Sequence, residues 1–158
     1  MDKLWAPWRI NYVRGKKKKG CIFCQAAKGS RDYVLFRTKY SLAMLNIFPY
    51  NNGHLMVSPI RHIRDTALLK EAEMIDLLQA LNKAKKLLKK VLKPQGFNIG
   101  INLERCAGAG ITGHLHVHIV PRWVGDSNFM PLLAGTKVIA QSLDELYKQL
   151  KNAQSKSD

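Results

Sequence analysis

The segment from residue 113 to residue 122 reads Gly-His114-Leu-His116-Val-His118-Ile-Val-Pro-Arg122. Side chains of a β-strand alternate between its two faces, so the three histidines share one face and the aliphatic residues between them share the other. The β-branched aliphatic residues favour a strand over a helix. A row of imidazoles costs desolvation free energy unless each ring has a hydrogen-bond partner, a ligand or an ion. The segment therefore predicts a β-strand that carries a functional site.

Two kinds of site fit this histidine row. Histidines at positions i and i+2 of a strand can share a metal ion, as in a metalloenzyme. Alternatively, one imidazole attacks an electrophile while its neighbours orient it and stabilise the negative charge that develops. The small residues Gly108, Ala109 and Gly110 precede the row, and backbone amides in such a segment can approach an anion closely. This combination favours a phosphate site in which the middle residue, His116, is the nucleophile.

The histidine spacing resembles the His-φ-His-φ-His-φ-φ signature of the histidine triad (HIT) family of nucleotidyl hydrolases and transferases. Further matching pieces follow the family's order and bring the resemblance to roughly residues 20–125, namely Cys21–Cys24, Leu45-Asn46, Gly53–Val57, His62 and Phe97–Asn102. Two flanking pieces, Leu4–Arg9 and Pro121–Phe129, are similar to a narrower branch of bacterial dinucleoside polyphosphate phosphorylases and hydrolases.

The resemblance implies roles for four histidines. His116 forms a nucleotidylated intermediate at the α-phosphate, and His118 donates to a phosphate oxygen. The backbone carbonyl beside His114 fixes the other nitrogen of the nucleophile. His54 supports the histidine cluster, although a half-buried structural histidine is the alternative interpretation.

The resemblance also implies substrate contacts. Asn46 matches the position that contacts the ribose hydroxyls, with a turn-initiating asparagine as the alternative. Asn102 and the amides of Gly108, Ala109 and Gly110 are predicted to hold the phosphates, and Thr112 to supply a hydroxyl. One branch of the family has Gln four residues before the first triad histidine, where this chain has Gly110, and the difference favours backbone contacts.

A Cys-x-x-Cys pair, Cys21 and Cys24, lies ahead of the strand. Such a pair can be redox-active, merely reduced, or part of a metal site. In the resemblance, His62 and His114 complete the pair, which implies a structural zinc ion held by Cys21, Cys24, His62 and His114. Cys106 is expected to be a spectator. A magnesium or manganese ion accompanying the substrate is a further expectation.

The remaining patterns predict one α+β domain. Strands are expected at 32–37, 40–46, 54–58, 97–103 and 114–120, a long amphipathic helix at 66–92 and a short helix at 142–151. These elements predict about five antiparallel strands with one long helix and one short helix, and the resemblance implies that they form a HIT-like fold. We expect an N-terminal arm and basic loop at 1–20, the HIT domain at 21–151 and a polar tail at 152–158.

The composition limits the function. A hydrophobic share of 46% in 158 residues indicates a globular chain, and the lack of a long apolar run or signal peptide predicts a cytoplasmic protein without membrane association. The net charge of +15 suits polyanionic nucleotides, and nucleic acid is not the expected partner. The resemblance implies a homodimer that cleaves diadenosine polyphosphates with phosphate or water as acceptor. Phosphoramidate hydrolysis, and nucleotide or nucleic-acid binding without turnover, are the alternatives.

Overall fold

The computed structural model describes residues 20–29, 32–126 and 138–155. The predicted N-terminal arm lies outside these residues, apart from Gly20. Three α-helices are present in the described part of the chain: α1 (Ile22–Ala27), α2 (Glu71–Leu92) and α3 (Leu143–Ser155). The five strands are β1 (Val34–Arg37), β2 (Ser41–Leu45), β3 (Leu55–Pro59), β4 (Gly96–Ile101) and β5 (Val117–Arg122). The predicted α+β, HIT-like architecture is confirmed.

The strands form one antiparallel sheet in the order β1-β2-β3-β5-β4. Strand β5 therefore lies between β3 and β4, and His118 pairs with Met56 on one side and with Gly100 on the other. Because side chains alternate along β5, His118 projects from one face while Val117 and Ile119 project from the other. The topology thus places the histidines on a single face of the sheet, which we call the histidine face.

The opposite face carries the main hydrophobic core. Helices α2 and α3 cover it, and the apolar side chains of the central strands pack beneath them, including Leu45, Val57 and Ile119. A smaller core lies on the histidine face, where Phe23 of α1 packs with Leu42, Met44 and Met56. Short α1 was not predicted, because six residues are too few to display helical periodicity.

Several element boundaries differ from the predictions, and β5 differs at both ends. Strand β5 begins at Val117 rather than His114, since the amide of Leu115 bonds to Ile63 in the connection after β3 (2.6 Å) instead of joining the ladder. The strand continues through Pro121, whose missing N–H costs nothing because the pairing with β3 has ended at Ile119.

The predicted helix at 66–92 is interrupted. Residues Thr66–Leu68 form a short 3-10 turn, and α2 begins at Glu71 because the carboxylate of Glu73 accepts from the backbone N–H of Lys70 (2.9 Å). At the C-terminus, α3 runs past the expected end at Lys151, because Ala153 packs on the core and its carbonyl accepts from Lys90 (3.0 Å). Among the described residues no helix is long and apolar enough to cross a membrane.

Gly53, in the turn before β3, is expected to tolerate no side chain. Its φ is +79°, and a Cβ would lie 2.5 Å from Leu92 Cδ1. We expect Gly53→Ala to destabilise the fold by about 2–4 kcal/mol, from left-handed strain and overpacking together. Gly125 shares the φ of +79° but has open space around it, so Gly125→Ala should cost only about 1–2 kcal/mol. Urea unfolding of both variants measures the difference, and equal losses would contradict this explanation.

Candidate active site and metal centre

The histidine face brings His54, His114, His116 and His118 into one continuous cluster, and His62 adjoins it with its ring centroid 5.0 Å from that of His114. The rings of His116 and His118 lie 4.9 Å apart between centroids, and those of His54 and His118 lie 5.0 Å apart. His54, His114 and His116 are buried, whereas His118 is half-buried. Three of these rings are therefore shielded from solvent, and the ring of His118 is partly accessible.

The protonation state of His116 follows from its backbone contact. Its Nδ1 lies 2.8 Å from the carbonyl oxygen of His114, which can only accept, so Nδ1 carries the proton and donates it. Burial lowers the pKa of His116, although the same hydrogen bond acts in the opposite direction. The ring is consequently neutral near pH 7, and its Nε2 holds an unprotonated lone pair.

A second chain of hydrogen bonds sets the tautomer of His118. The backbone N–H of Tyr50 donates to Nδ1 of His54 (3.0 Å), so the proton of His54 resides on Nε2. That Nε2 lies 2.8 Å from Nδ1 of His118 and donates to it. His118 must then carry its own proton on Nε2, where it is a hydrogen-bond donor at the edge of the cluster.

Asn46 is tied into this network. Its Oδ1 accepts from the amide of Phe48 (2.9 Å), which orients the side chain so that Nδ2 faces Nδ1 of His54 at 3.3 Å. The turn contact matches the turn-initiating alternative for this residue. The predicted contact with ribose is a separate matter and stays a prediction.

The glycine-rich segment is only partly available for anion binding. The amides of Gly108 and Ala109 donate to the carbonyls of Arg105 and Glu104, at 3.1 and 3.3 Å, within a short 3-10 turn. Two of the amides expected to hold phosphate are therefore engaged in the turn itself. Gly110 and Thr112 are exposed. The side chain of Asn102 lies beside the turn, since a Cβ on Gly108 would be 3.7 Å from its Nδ2.

A compact cluster of residues that could hold a metal ion lies next to the histidine row. Cys21, Cys24, His62 and His114 each present one ligand atom, and these atoms all lie within 4.8 Å of one another. The four residues come from α1, the connection after β3 and the segment before β5. Two thiols and two imidazoles are the donor set of a tetrahedral site for a soft divalent ion.

His114 connects the Cys/His cluster to His116. Its Nε2 donates to the carbonyl of Pro59 (2.8 Å), so its Nδ1 is unprotonated and faces the two cysteines. Its own carbonyl accepts from His116. The ring of Phe23 packs against both histidines, with centroids 5.1 Å from His114 and 4.9 Å from His116. One buried residue thus serves two sites.

The buried histidines should make stability depend on pH. Burial is the main cause that lowers the pKa of His54 to about 3 and that of His118 to about 4, from an ordinary 6.5. Between pH 6.5 and about 4 the unfolded chain binds protons that the folded chain does not, so stability decreases as the pH falls through this window and is constant above it. Urea unfolding at pH 7.5, 6 and 5 measures the slope. A His54→Gln variant should have a shallower slope; an identical slope would contradict the assignment.

The sequence analysis missed three contributors to the site, and two of them carry no recognisable signal in the sequence. The Tyr50 amide and the Pro59 carbonyl are backbone atoms, which any residue provides. Phe23 is the exception, because an aromatic residue inside the Cys-x-x-Cys pair could have suggested a ring packed against the metal ligands.

Comparisons with known proteins agree with this geometry. The HIT domain family matches residues 28–124. An AP-4-A phosphorylase of Mycobacterium tuberculosis (strain CDC 1551 / Oshkosh) is 37% identical over 161 residues, covering 95% of this chain and 83% of the relative. Adenosine 5'-monophosphoramidase hnt1 of Schizosaccharomyces pombe is 34% identical over 103 residues, covering 65% of this chain and 74% of that protein.

A solved structure shares the fold as well. The hypothetical histidine triad nucleotide-binding protein ST2152 from Sulfolobus tokodaii superposes with a TM-score of 0.69 at 27% identity, covering 87% of this chain and 91% of the other. Since the family match alone spans most of the chain and includes the whole histidine row, the chain belongs to the HIT domain family and is a HIT-type nucleotide hydrolase or transferase.

Proposed function

We propose that this enzyme cleaves diadenosine polyphosphates, such as diadenosine tetraphosphate, at the α-phosphate through a covalent AMP adduct of His116. The observation that carries the proposal is the 2.8 Å hydrogen bond from His116 Nδ1 to the His114 carbonyl, which leaves Nε2 as a neutral nucleophile. The name and the 37% identity of the mycobacterial phosphorylase support the substrate class.

In the first step, His116 Nε2 attacks the α-phosphorus. The N–P bond forms while the bond from phosphorus to the bridging oxygen breaks, and that oxygen keeps the electron pair as the nucleoside polyphosphate departs. The ring now carries a positive charge, which the His114 carbonyl stabilises through the Nδ1–H bond. The Nε2–H of His118 donates to a phosphate oxygen and stabilises the charge that develops there. The leaving group needs little acid assistance because it departs as a stable phosphate.

In the second step, an acceptor oxygen attacks the same phosphorus and the N–P bond breaks. Inorganic phosphate as acceptor yields ADP, whereas water yields AMP. The electron pair of the broken bond returns to Nε2, and His116 is again neutral. The flanking similarity to the phosphorylase branch favours phosphate.

The remaining predicted contacts complete the proposal. Asn46 binds the ribose hydroxyls through the donor and acceptor capacity of its side chain that the hydrogen bonds to Phe48 and His54 do not use. Asn102, the amide of Gly110 and the hydroxyl of Thr112 bind the phosphates. A magnesium or manganese ion is carried by the substrate's own phosphates.

A substrate panel tests this proposal. Diadenosine tetraphosphate and adenosine 5'-phosphoramidate are each supplied with and without phosphate and with and without magnesium, and the quenched protein is weighed by mass spectrometry. We expect the tetraphosphate to give an AMP adduct, with ADP and ATP as products when phosphate is present. Preferential turnover of the phosphoramidate would favour the alternative, which the name of the fission-yeast relative supports. Absence of any adduct and any product would contradict both.

We further propose that the metal centre holds zinc. Ligand bonds of about 2.3 Å to sulfur and about 2.0–2.1 Å to nitrogen place the donors of a tetrahedral ion about 3.3–3.5 Å apart for N–N and S–N pairs. The Nδ1 atoms of His62 and His114 lie 3.2 Å apart, and their distances to the cysteine sulfurs are 3.2, 3.2 and 3.6 Å. Zinc would neutralise the two thiolates and brace the segment that precedes β5.

We also propose that two copies of the chain associate through the edge strand β4 and the adjoining side of α2. Strand β4 ends the sheet, and a hollow of about 220 Å³ lies between it and α2. Large apolar side chains are exposed around that hollow, among them Met74, Leu78 and Ile101. An exposed edge with apolar neighbours is typical of an interface.

Charge placed on this side of α2 should separate the copies. Leu78 is 60% exposed, and we expect Leu78→Glu to sediment as a monomer where the wild type sediments as a dimer. Gln79→Glu adds the same charge on another side of the helix and should leave the dimer intact. Equal masses for Leu78→Glu and the wild type would contradict this interface.

Cytoplasmic localisation and the domain boundaries stay predictions.

A further inference from the structure

The two flanks of His118 differ in a way that the nucleophile and its hydrogen bonds do not explain. On the β3 side, its paired neighbour Met56 is buried in the small core, and His54 fills the adjacent space. On the β4 side, its paired neighbour is Gly100, and a Cβ built there would meet no atom within 4 Å. Side chains therefore cover the histidine face on the β3 side of His118, whereas no described side chain covers it on the β4 side at Gly100.

Neither backbone conformation nor packing requires glycine at this position. Gly100 is absent from the residues of positive φ among those described, so its extended conformation is open to any residue. A glycine inside a strand weakens the strand and often marks a place where a ligand or another backbone approaches closely. Since no described atom lies within 4 Å of where its Cβ would be, Gly100 leaves space on the histidine face that a ligand can occupy.

Polar side chains flank the bare position. Asn98 lies two residues before Gly100 on β4 and on the same face, and Asn102 follows the end of the strand. Oδ1 of Asn98 accepts from Arg122 (2.7 Å), and Arg122 is held in turn by two bonds to Asp126 (2.6 and 2.8 Å). This arrangement commits the oxygen of Asn98 and leaves its Nδ2 protons as donors, which suits an anion rather than a cation.

We infer that Gly100 forms the floor of the subsite for the phosphates beyond the α-phosphorus, with Asn98 as an additional donor and specificity-determining residue. The inference rests on the proposed function. When His116 attacks, the leaving polyphosphate must lie opposite Nε2, and the filled β3 flank leaves the β4 flank for it. In the second step, phosphate attacks opposite the N–P bond, so it enters through the space that the polyphosphate has vacated. The space beside Gly100 thus receives the departing polyphosphate and then admits the attacking phosphate.

A side chain at residue 100 tests the inference. Gly100→Val suits an extended strand, so we expect its melting temperature to equal or exceed that of the wild type. Its kcat/KM for phosphorolysis of diadenosine tetraphosphate should fall by about tenfold or more, because the phosphate chain is displaced from its in-line position. Hydrolysis of adenosine 5'-phosphoramidate, whose leaving group is ammonia, should fall several-fold less. The matched control is Gly96→Val, on the same strand and face with equally open space, and it should behave as the wild type does.

Each outcome is decisive. A wild type that turns over the tetraphosphate together with an equally active Gly100→Val variant overturns this inference and leaves the proposed function standing. A wild type inactive on every nucleotide overturns the proposed function and the subsite with it. Sedimentation of the variants is the second readout. If Gly100→Val changes the mass of the assembly, the bare space belongs to a second copy of the chain, and the inference is wrong.

Discussion

Replacing His116 with alanine is expected to lower kcat for diadenosine tetraphosphate by about 10⁴-fold or more, because it removes the proposed nucleophile. His116 Nε2 is the unprotonated nitrogen of a ring whose other nitrogen is bonded to the His114 carbonyl. Single-turnover assays measure the loss, and mass spectrometry of the quenched protein should find no AMP adduct.

The control for this variant preserves the donor that His116 gives to the backbone. In His116→Asn, a side-chain N–H is still available for the His114 carbonyl while the nucleophile is gone, so the fold should stay near wild-type stability with activity equally low. If either variant kept the wild-type rate, or if the adduct were found on another residue, the proposed mechanism would be wrong.

Loss of the metal centre is expected to have the largest effect on stability. A metal that binds only the folded chain stabilises it by about 4 kcal/mol when its free concentration is 1,000 times its Kd, which corresponds to about 8–16 °C in Tm for a chain of this size. We expect Cys24→Ala to show a loss of this order, because it removes one of four ligands that lie within 4.8 Å of one another. Differential scanning calorimetry with metal analysis by mass spectrometry measures both quantities.

Cys106 provides the matched control. It is a free, exposed cysteine outside the cluster, so Cys106→Ala should retain full zinc content and wild-type Tm. If Cys24→Ala were to bind one zinc per chain with unchanged Tm, the four residues would not be the zinc site. A chelator should likewise lower the Tm of the wild type and leave that of Cys24→Ala nearly unaltered.

The order of the elements and the histidine face could be predicted because they follow from side-chain periodicity. Alternation from Leu115 to Ile119 places the aliphatic residues on the face opposite the histidines. Val117 and Ile119 pack in the core beneath the helices, and Leu115 is buried as well. The boundaries could not be predicted equally well. The Leu115 amide bonds to the Ile63 carbonyl, and such a long-range backbone contact leaves no trace in the residue types of the segment.

The features of the site likewise divide into those that the sequence could predict and those that it could not. The resemblance to the family supplied the metal quartet and the roles of the histidines, since those depend on side-chain identity. The tautomers of His54 and His118 depend on the amide of Tyr50, a group that every residue except proline possesses. The glycine-rich segment was predicted from composition alone, and composition does not reveal that the amides of Gly108 and Ala109 are used to close their own turn.

The two contacts of His114 have a consequence for evolution. Its ring faces the two cysteines, while its carbonyl accepts a hydrogen bond from His116, the proposed nucleophile. A descendant of this chain that lost Cys21 and Cys24 would also lose their contacts with His114, the residue whose carbonyl orients the His116 ring. In such a lineage the restraints left on position 114 would include the hydrogen bond to the Pro59 carbonyl and that from the Leu115 amide to Ile63. We expect natural variation to change the two sites together.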